Sequence, residues 1–364
     1  MYIKKIALKD FRGFSRLELS GISKKFNVFI GKNAQGKTNL IESINYLSCG
    51  KSFRGASNAQ MVREGSGFAG ILAEYQKKSH SGKVEAALQR DGKKSILVNG
   101  FAVKRMAELM GVINSIVFAP EDLQTIKQSP RLRRRLCDLE ISKIRRAYYL
   151  ELQKYYAILK NKNSILKQKE PDTALLLVYN DALCQSAQYI MKKRESFLKK
   201  LEAYAQEIFH FLSGGEELSM RYRACAELGQ LPDSLTFKLQ AAEKRERELH
   251  TALVGPHRED LEIFINGRDA RLFASQGQQR TAMLAIKLGC ARIAEKSTGE
   301  APILLLDDVF SELDVGRRER LLSLTGSNQV FITATDAAGV EGFSGVQFFE
   351  VLNHEVKPLG RAVR

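Results

Sequence analysis

Phe26-Asn27-Val28-Phe29-Ile30-Gly31-Lys32-Asn33-Ala34-Gln35-Gly36-Lys37-Thr38 decides the fold of this chain. Residues 31–38 fit G-x-x-x-x-G-K-[ST], the pattern of a phosphate-binding loop. In such a loop backbone N–H groups wrap the phosphates, the lysine reaches the β and γ oxygens, and the hydroxyl holds Mg2+. The apolar run Phe26 to Ile30 reads as a strand entering the loop, and Asn39 to Leu47 continues with helical spacing. The phosphates are therefore expected at a helix N-terminus. A Gly- and Lys-rich surface turn can match the pattern by chance, but it lacks this strand–loop–helix context. The chain is expected to bind a nucleoside triphosphate through Gly31, Asn33, Gly36, Lys37, Thr38 and Asn39.

The 364 residues carry 57 Lys and Arg against 41 Asp and Glu, a formal charge of +16. That excess points to a polyanionic partner, nucleic acid or an anionic surface. No run approaches the ~18 apolar residues of a membrane span. The N-terminus, Met1 to Leu8, alternates like a strand and lacks the apolar stretch of a signal peptide. The five cysteines, Cys49, Cys137, Cys184, Cys225 and Cys290, are scattered and form no C-x-x-C pair. Reduced thiols in a cytoplasmic protein without membrane association are the expectation.

Three regions separate by pattern: 1–128, 129–250 and 251–364. The first is rich in strand signals, with Asp91-Gly92 and Asn99-Gly100 as hairpin turns. From Arg131 to Ser213 the pattern becomes helical, is broken at Glu170-Pro171-Asp172 and stops at Gly214-Gly215. Two helices of roughly forty residues each, turning at the proline, would make an antiparallel arm ~60 Å long. Residues 131–213 hold 17 Lys and Arg against 9 Asp and Glu, half of the chain's excess charge. Strand signals return at Leu261 to Gly267, followed by a helix from about Gln278 to Lys296. Buried strands are expected at Ile303 to Leu306 and Gln329 to Thr333.

A phosphate loop needs a carboxylate to position Mg2+, and Leu304-Leu305-Leu306-Asp307-Asp308 offers two at the end of a dry strand. Read alone, that ending is most often a helix cap or a solvated turn. Beside the phosphate loop, Asp307 is the metal candidate with Thr38, and Asp308 is placed to orient or deprotonate the attacking water. Ser275-Gln276-Gly277-Gln278-Gln279-Arg280 just before a helix looks like the signature loop of ABC-type ATPases. There the hydroxyl, glycine backbone and helix dipole meet a γ-phosphate. Ser311-Glu312-Leu313-Asp314 has the Leu-Asp of the loop that crosses between nucleotide sites in that superfamily. The distance in sequence from Lys37 to Asp307 makes sense if one head is split and the helical region is inserted between its halves. The expected fold is α/β, an ABC-type ATPase head (a P-loop NTPase) split in sequence with an inserted α-helical arm.

These motifs resemble those of the RecF family of bacterial recombination-repair ATPases, which are related to SMC-type proteins. The resemblance runs through Phe11-Arg12-Gly13-Phe14, Gly31 to Asn39, Phe118-Ala119-Pro120-Glu121-Asp122-Leu123 and Pro130-Arg131-Leu132-Arg133-Arg134. It continues through Val254-Gly255-Pro256-His257-Arg258-Glu259-Asp260, Ser275 to Arg280 and Leu304 to Asp314. The resemblance implies an ATP-closed homodimer in which Ser275, Gly277 and Gln278 complete the partner's phosphate site. The sequence agrees, since one phosphate loop and one signature loop per chain require two chains for two composite sites. It also implies ATP with Mg2+, an approach of Arg12 to the nucleotide, and action at single-strand gaps and duplex junctions. RecR is the implied partner, with RecO in the same pathway.

Two departures imply slow hydrolysis. Asp308 stands where many ABC-type ATPases have Glu, and Thr335 follows the last strand where they have a histidine able to take a proton. Gln124 is a candidate for the superfamily's metal- or water-contacting glutamine, or an ordinary surface residue. For DNA, Arg54 follows the first helix where similar heads place a DNA-sensing arginine, and Arg131, Arg133, Arg134 and Arg135 could neutralise phosphates. Without aromatic interleaving, the expected contacts are to the backbone and largely sequence-independent. Rival readings are a stand-alone P-loop kinase or GTPase that does not act on DNA, and a transporter ATPase. The signature loop opposes the first, and the arm and the Gly-Pro-His-Arg segment oppose the second.

Overall fold

Alternating apolar residues at the start of the chain produce β1 (Tyr2–Phe11) and β2 (Phe14–Leu19), and the apolar run before the phosphate loop is β3 (Phe26–Ile30). The computed structural model describes residues 1–336, 340 and 343–359. Helix α1 (Lys37–Cys49) leaves the phosphate loop, and one turn, α2 (Asn58–Met61), precedes β4 (Phe68–Gln76), β5 (Ser81–Gln89), β6 (Lys94–Val98) and β7 (Phe101–Ala102). Then come β8 (Ser115–Phe118), α3 (Leu123–Lys127), α4 (Pro130–Ile144), α5 (Arg146–Leu166) and α6 (Thr173–Ser213). Strand β9 (Leu218–Arg223) and α7 (Asp233–Leu249) lead to β10 (Asp260–Ile265), β11 (Arg268–Asp269), α8 (Ala270–Phe273) and α9 (Gln276–Thr298). The last elements are β12 (Ile303–Asp307), α10 (Val315–Ser323), β13 (Val330–Ala334), β14 (Val346–Leu352) and β15 (Glu355–Leu359).

Three sheets result. One is antiparallel, in the order β2-β1-β4-β5-β6-β7, with its inner face in the core around α1. A second, β15-β14-β3-β13-β12-β8, is parallel from β14 to β8 and carries the phosphate loop. Its central strands are buried along their length, as a sheet covered on both faces demands. The third is β11-β10-β9, so β9 pairs with β10 from Leu218↔Ile265 to Arg223↔Asp260 across the position 250/251.

The helical region differs from the expected pair of forty-residue helices. The second helix, α6, has 41 residues: Asp172 caps its start by accepting from Leu175 N, and Gly214, at φ 81°, ends it. The first breaks at Arg145, whose backbone is extended (φ −145°, ψ 90°), into α4 of 15 residues and α5 of 21. No glycine or proline marks that break, so periodicity ran across it. Helix α5 spans only about 32 Å. The C-terminal part of α6 belongs to the main core, lying on α9 where Gly289 admits Leu201 and the Ala205 backbone. A methyl at Gly289 would sit 3.0 Å from Leu201 Cδ1, so this glycine sets how closely the two helices approach.

A buried polar cluster joins these helices to the segment before β10. Arg194 of α6, only 2% exposed, gives Nε and Nη2 to Asp138 of α4 and Nη1 to Glu259 and to Pro256 O. Tyr148 Oη donates to Asp138 at 2.6 Å, and Tyr222 Oη to Glu259. Beside it, His257 Nδ1 accepts from Tyr155 Oη at 2.5 Å and Nε2 faces Ala252 O at 3.2 Å. A carbonyl only accepts, so Nε2 carries the proton. Burial, aided by Arg258, Arg134 and Lys162, pushes the His257 pKa down to about 4, and the ring is neutral.

Candidate nucleotide site

Strand β3 delivers the chain into a loop whose backbone reverses through Ala34 (φ 65°) and Gly36 (φ 106°), and α1 starts at Lys37. Its first turn holds no acidic residue, so the N-terminal N–H groups and the positive end of the helix dipole are left for an anion. Gly36 and Lys37 are buried, Gly31, Thr38 and Asn39 half-buried, and Asn33 exposed. Lys37 Nζ donates to Gly31 O at 2.5 Å and to Lys32 O at 2.8 Å, so the ammonium spans the inside of the loop. Burial lowers its pKa, while Asp308 and Asp307 oppose that shift.

The two metal candidates meet. Thr38 Oγ1 donates to Asp307 Oδ1 at 2.9 Å, although the residues are 269 apart in sequence. Strand β13 lies between β3 and β12, and its Thr333, register partner of Asp307, donates to the same oxygen at 2.7 Å. Thr333 Oγ1 also accepts from Asp308 N at 3.0 Å. Asp307 is 3% exposed; burial raises its pKa, the two threonines lower it, and the charges of Glu121 and Asp308 raise it. Asp308 is half-buried in left-handed conformation (φ 52°), just past the strand end. A cleft beside the two acids is lined by Phe118, Pro120, Asp122 and Leu123 on one side and by Arg280 and Met283 of α9 on another.

The signature residues form the cap of α9. Ser275 Oγ accepts from Gln278 N, and Gln278 Oε1 accepts from Ser275 N at 2.9 Å, a reciprocal capping box. Gln278 Nε2 also donates to Glu216 at 2.5 Å. Gly277 faces open space: a Cβ there meets nothing nearer than Ser275 Oγ at 3.9 Å. Among the described residues, no hydrogen bond or ion pair joins 275–278 to the loop 31–39 of the same chain. In the Ser311–Asp314 segment, Asp314 caps α10, and the side chain of Glu312 lies outside the described residues.

The arginines divide. Arg133 is not a DNA-facing residue: it is 4% exposed, paired through two nitrogens with Asp260 and donating to the carbonyls of Thr125, Ile126 and Gln128. It closes the end of α3 onto β10, and a phosphate could reach it only by breaking that cluster. Arg134 is half-buried and donates to Glu259 O; burial lowers its pKa. Arg131 and Arg135 are exposed. Arg54 is exposed, with Nε 4.0 Å from Glu121.

Arg12, expected near the nucleotide, gives Nε and Nη2 to Glu42 at 2.9 Å each and Nη1 to Gln60 O. Glu42 sits one turn beyond Thr38 on α1 and is fully buried, so in this state Arg12 anchors α1. Gln124 is exposed on α3, and Thr335 is exposed after β13. Glu121, not singled out in the sequence, is the acid of that segment whose charge reaches Asp307. Its sequence signal was its place in the Phe118–Leu123 stretch, three residues past the end of β8.

Known proteins resemble this chain along nearly its whole length. The family described as "RecF/RecN/SMC N terminal domain" matches residues 2–355. The DNA replication and repair protein RecF of Clostridium beijerinckii is 37% identical over 372 residues, covering 100% of both chains. That of Bacillus velezensis is 37% identical over 353 residues, covering 94% of this chain and 95% of its own. A solved structure of the recombination mediator protein RecF with ATP, in the RecFOR pathway, superposes with a TM-score of 0.91 at 34% identity, covering 99% of this chain and 98% of the other. The Smc head domain of Pyrococcus yayanosii shares the fold alone, with a TM-score of 0.61 at 14% identity over 100% of this chain and 97% of its own.

Proposed function

The chain belongs to the RecF/RecN/SMC family, on its RecF side, and from that membership we propose an ATP-switched DNA-binding protein of recombinational repair and replication restart. The observation that carries this reading is Thr38 donating to Asp307 at the mouth of the phosphate loop. It brings the hydroxyl and the carboxylate of an ATPase site together from the two ends of the chain. A kinase or another stand-alone NTPase without a role on DNA has no comparable support. ATP binds with its phosphates in the loop 31–38, against the α1 N-terminus and Lys37. Thr38 and Asp307 are the residues that would hold Mg2+, with Asp307 binding directly or through water. The fit is chemical: one hydroxyl and one carboxylate, completed by phosphates and water, is the usual protein share of a Mg2+ site. Among the described residues, no group of three or more His, Cys, Asp or Glu could cage a metal alone. Mg2+ would neutralise the charge that develops between the β and γ phosphates.

Asp308 poises the attacking water, and its short carboxylate, with no histidine at 335, keeps turnover slow. Ser275, Gly277 and Gln278 act on the ATP of a second copy. The open space around Gly277 supports this, since its own chain does not require a glycine there. Residues 1–128 and 251–364 form the head and 129–250 an inserted helical region, with β9 joined to the C-terminal part. Arg54, Arg131 and Arg134 remain candidates for DNA contact, together with the +16 charge. The dimer acts at gaps and duplex junctions, with RecR as partner and RecO in the same pathway. The setting is the cytoplasm. Among the described residues no helix is long and apolar enough to cross a membrane.

The test is DNA affinity by fluorescence anisotropy with and without ATP and Mg2+ over a salt series. ATP is expected to raise affinity for gapped duplex roughly tenfold or more, with a steep fall in salt as counterions are released. Equal affinity with and without ATP contradicts the reading.

A further inference from the structure

The phosphate loop has a neighbour that its motif does not announce. Strand β14 runs parallel to β3, with Glu350 opposite Ile30, and turns back into β15 through Asn353 and His354. Both turn residues are left-handed, at φ 48° and 61°. A two-residue hairpin turn of this kind normally carries Gly at its second position, so His354 occupies a place where a side chain is unfavourable. Strain of that kind persists where the surroundings fix it, and it marks sites of use.

The surroundings here are the nucleotide site. Asn353 N donates to Gln35 Oε1 at 2.5 Å, and His354 N donates to Gln35 O at 3.2 Å. The loop carbonyl thus points outward to the hairpin. The imidazole lies between Gly13, in the β1–β2 turn, and Gly36. A Cβ on Gly13 would come within 2.2 Å of His354 Cε1, and one on Gly36 within 2.7 Å of Nδ1. Phe14 meets the ring edge-on at 5.8 Å. Gly31 is equally closed, since a Cβ would fall 2.3 Å from Val351 O. Nδ1 is buried without a hydrogen-bond partner among the described residues, so packing holds the ring.

We propose that His354 is a positioning residue of the nucleotide site, a wedge that fixes the phosphate loop at Gly36 against the Arg12–Gly13 turn. The inference rests on the reading of residues 31–38 as the ATP site. It gives Gly13 and Gly31 a role apart from phosphate contact: they admit the hairpin. It also makes the C-terminal hairpin part of the ATP site, acting from the outer side of the loop.

His354→Gly tests it, because Gly suits the turn and no hydrogen-bond partner among the described residues is lost. ATP affinity is expected to fall roughly tenfold while the melting temperature of the nucleotide-free protein holds or rises. A purely structural histidine would give the opposite pattern, a lower melting temperature with ATP affinity unchanged. Gly13→Ala is the second variant. It drives a methyl into the ring and weakens ATP binding, but in Gly13→Ala/His354→Gly it has no further effect. ATP affinity of His354→Gly within about twofold of wild type, or losses that simply add, overturns the proposal, provided that Lys37→Ala has lost binding in the same assay. If Lys37→Ala also binds ATP normally, the ATP-site reading itself falls and the wedge with it.

Discussion

Lys37→Ala lowers ATP affinity by about a thousandfold and leaves the nucleotide-free protein as stable as before. The ammonium now bonds two neutral carbonyls, Gly31 O and Lys32 O, inside the loop it closes. Charged hydrogen bonds to phosphate oxygens are worth about 1.5–3 kcal/mol each, and two of them account for an effect of that order. The loop also loses the strut that sets its width. Stability is spared because the lysine is buried without a hydrogen-bonded carboxylate among the described residues, a charge whose desolvation already lowers its pKa. Isothermal titration with ATP, beside a thermal melt without it, checks both halves. Normal ATP affinity in this variant contradicts the assignment of residues 31–38.

Arg194→Met has the reverse profile, costing about 3–5 kcal/mol of stability, because it removes one member of a buried ionic cluster and leaves the others. Asp138 loses both of its contacts from the guanidinium, Glu259 loses one, and Pro256 O is left without its donor. None can be reached freely by water, as Glu259 is 2% and Asp138 8% exposed. The loss is a large fraction of the stability of a typical domain, about 5–15 kcal/mol. Urea unfolding of the nucleotide-free protein measures it through a lower midpoint. A change below about 1 kcal/mol would mean that the cluster relaxes onto water and does not fix α4, α6 and β10 together.

The difference between these two residues shows what the sequence could reveal. Lys37 sits in a string whose spacing is its chemistry, so the loop, β3 and α1 were legible together. Asp307 was legible by its dry strand, though not the service of Thr333, which depends on the strand order β3-β13-β12. Arg194 follows Lys192 and Lys193 and reads as part of a solvated charge run. Arg133 likewise reads as part of a basic helix opening. Their partners lie 56 and 127 residues away, beyond any local pattern. Arg12 was placed near the nucleotide by resemblance, and Glu42, which holds it, looks like any polar residue of an amphipathic helix. The break at Arg145 left no trace because no Gly or Pro makes it. The Asn353–His354 turn escaped because its significance lies in where a hairpin lands.

In the proposed mechanism ATP joins two copies through the signature loop. The solution mass of Asp308→Asn, measured with and without ATP and Mg2+ and again with Ser275→Arg added, tests it most directly. A monomer is expected without ATP, a dimer with it, and a monomer under both conditions once Ser275→Arg is present. A monomer throughout, or a dimer indifferent to Ser275→Arg, would contradict it.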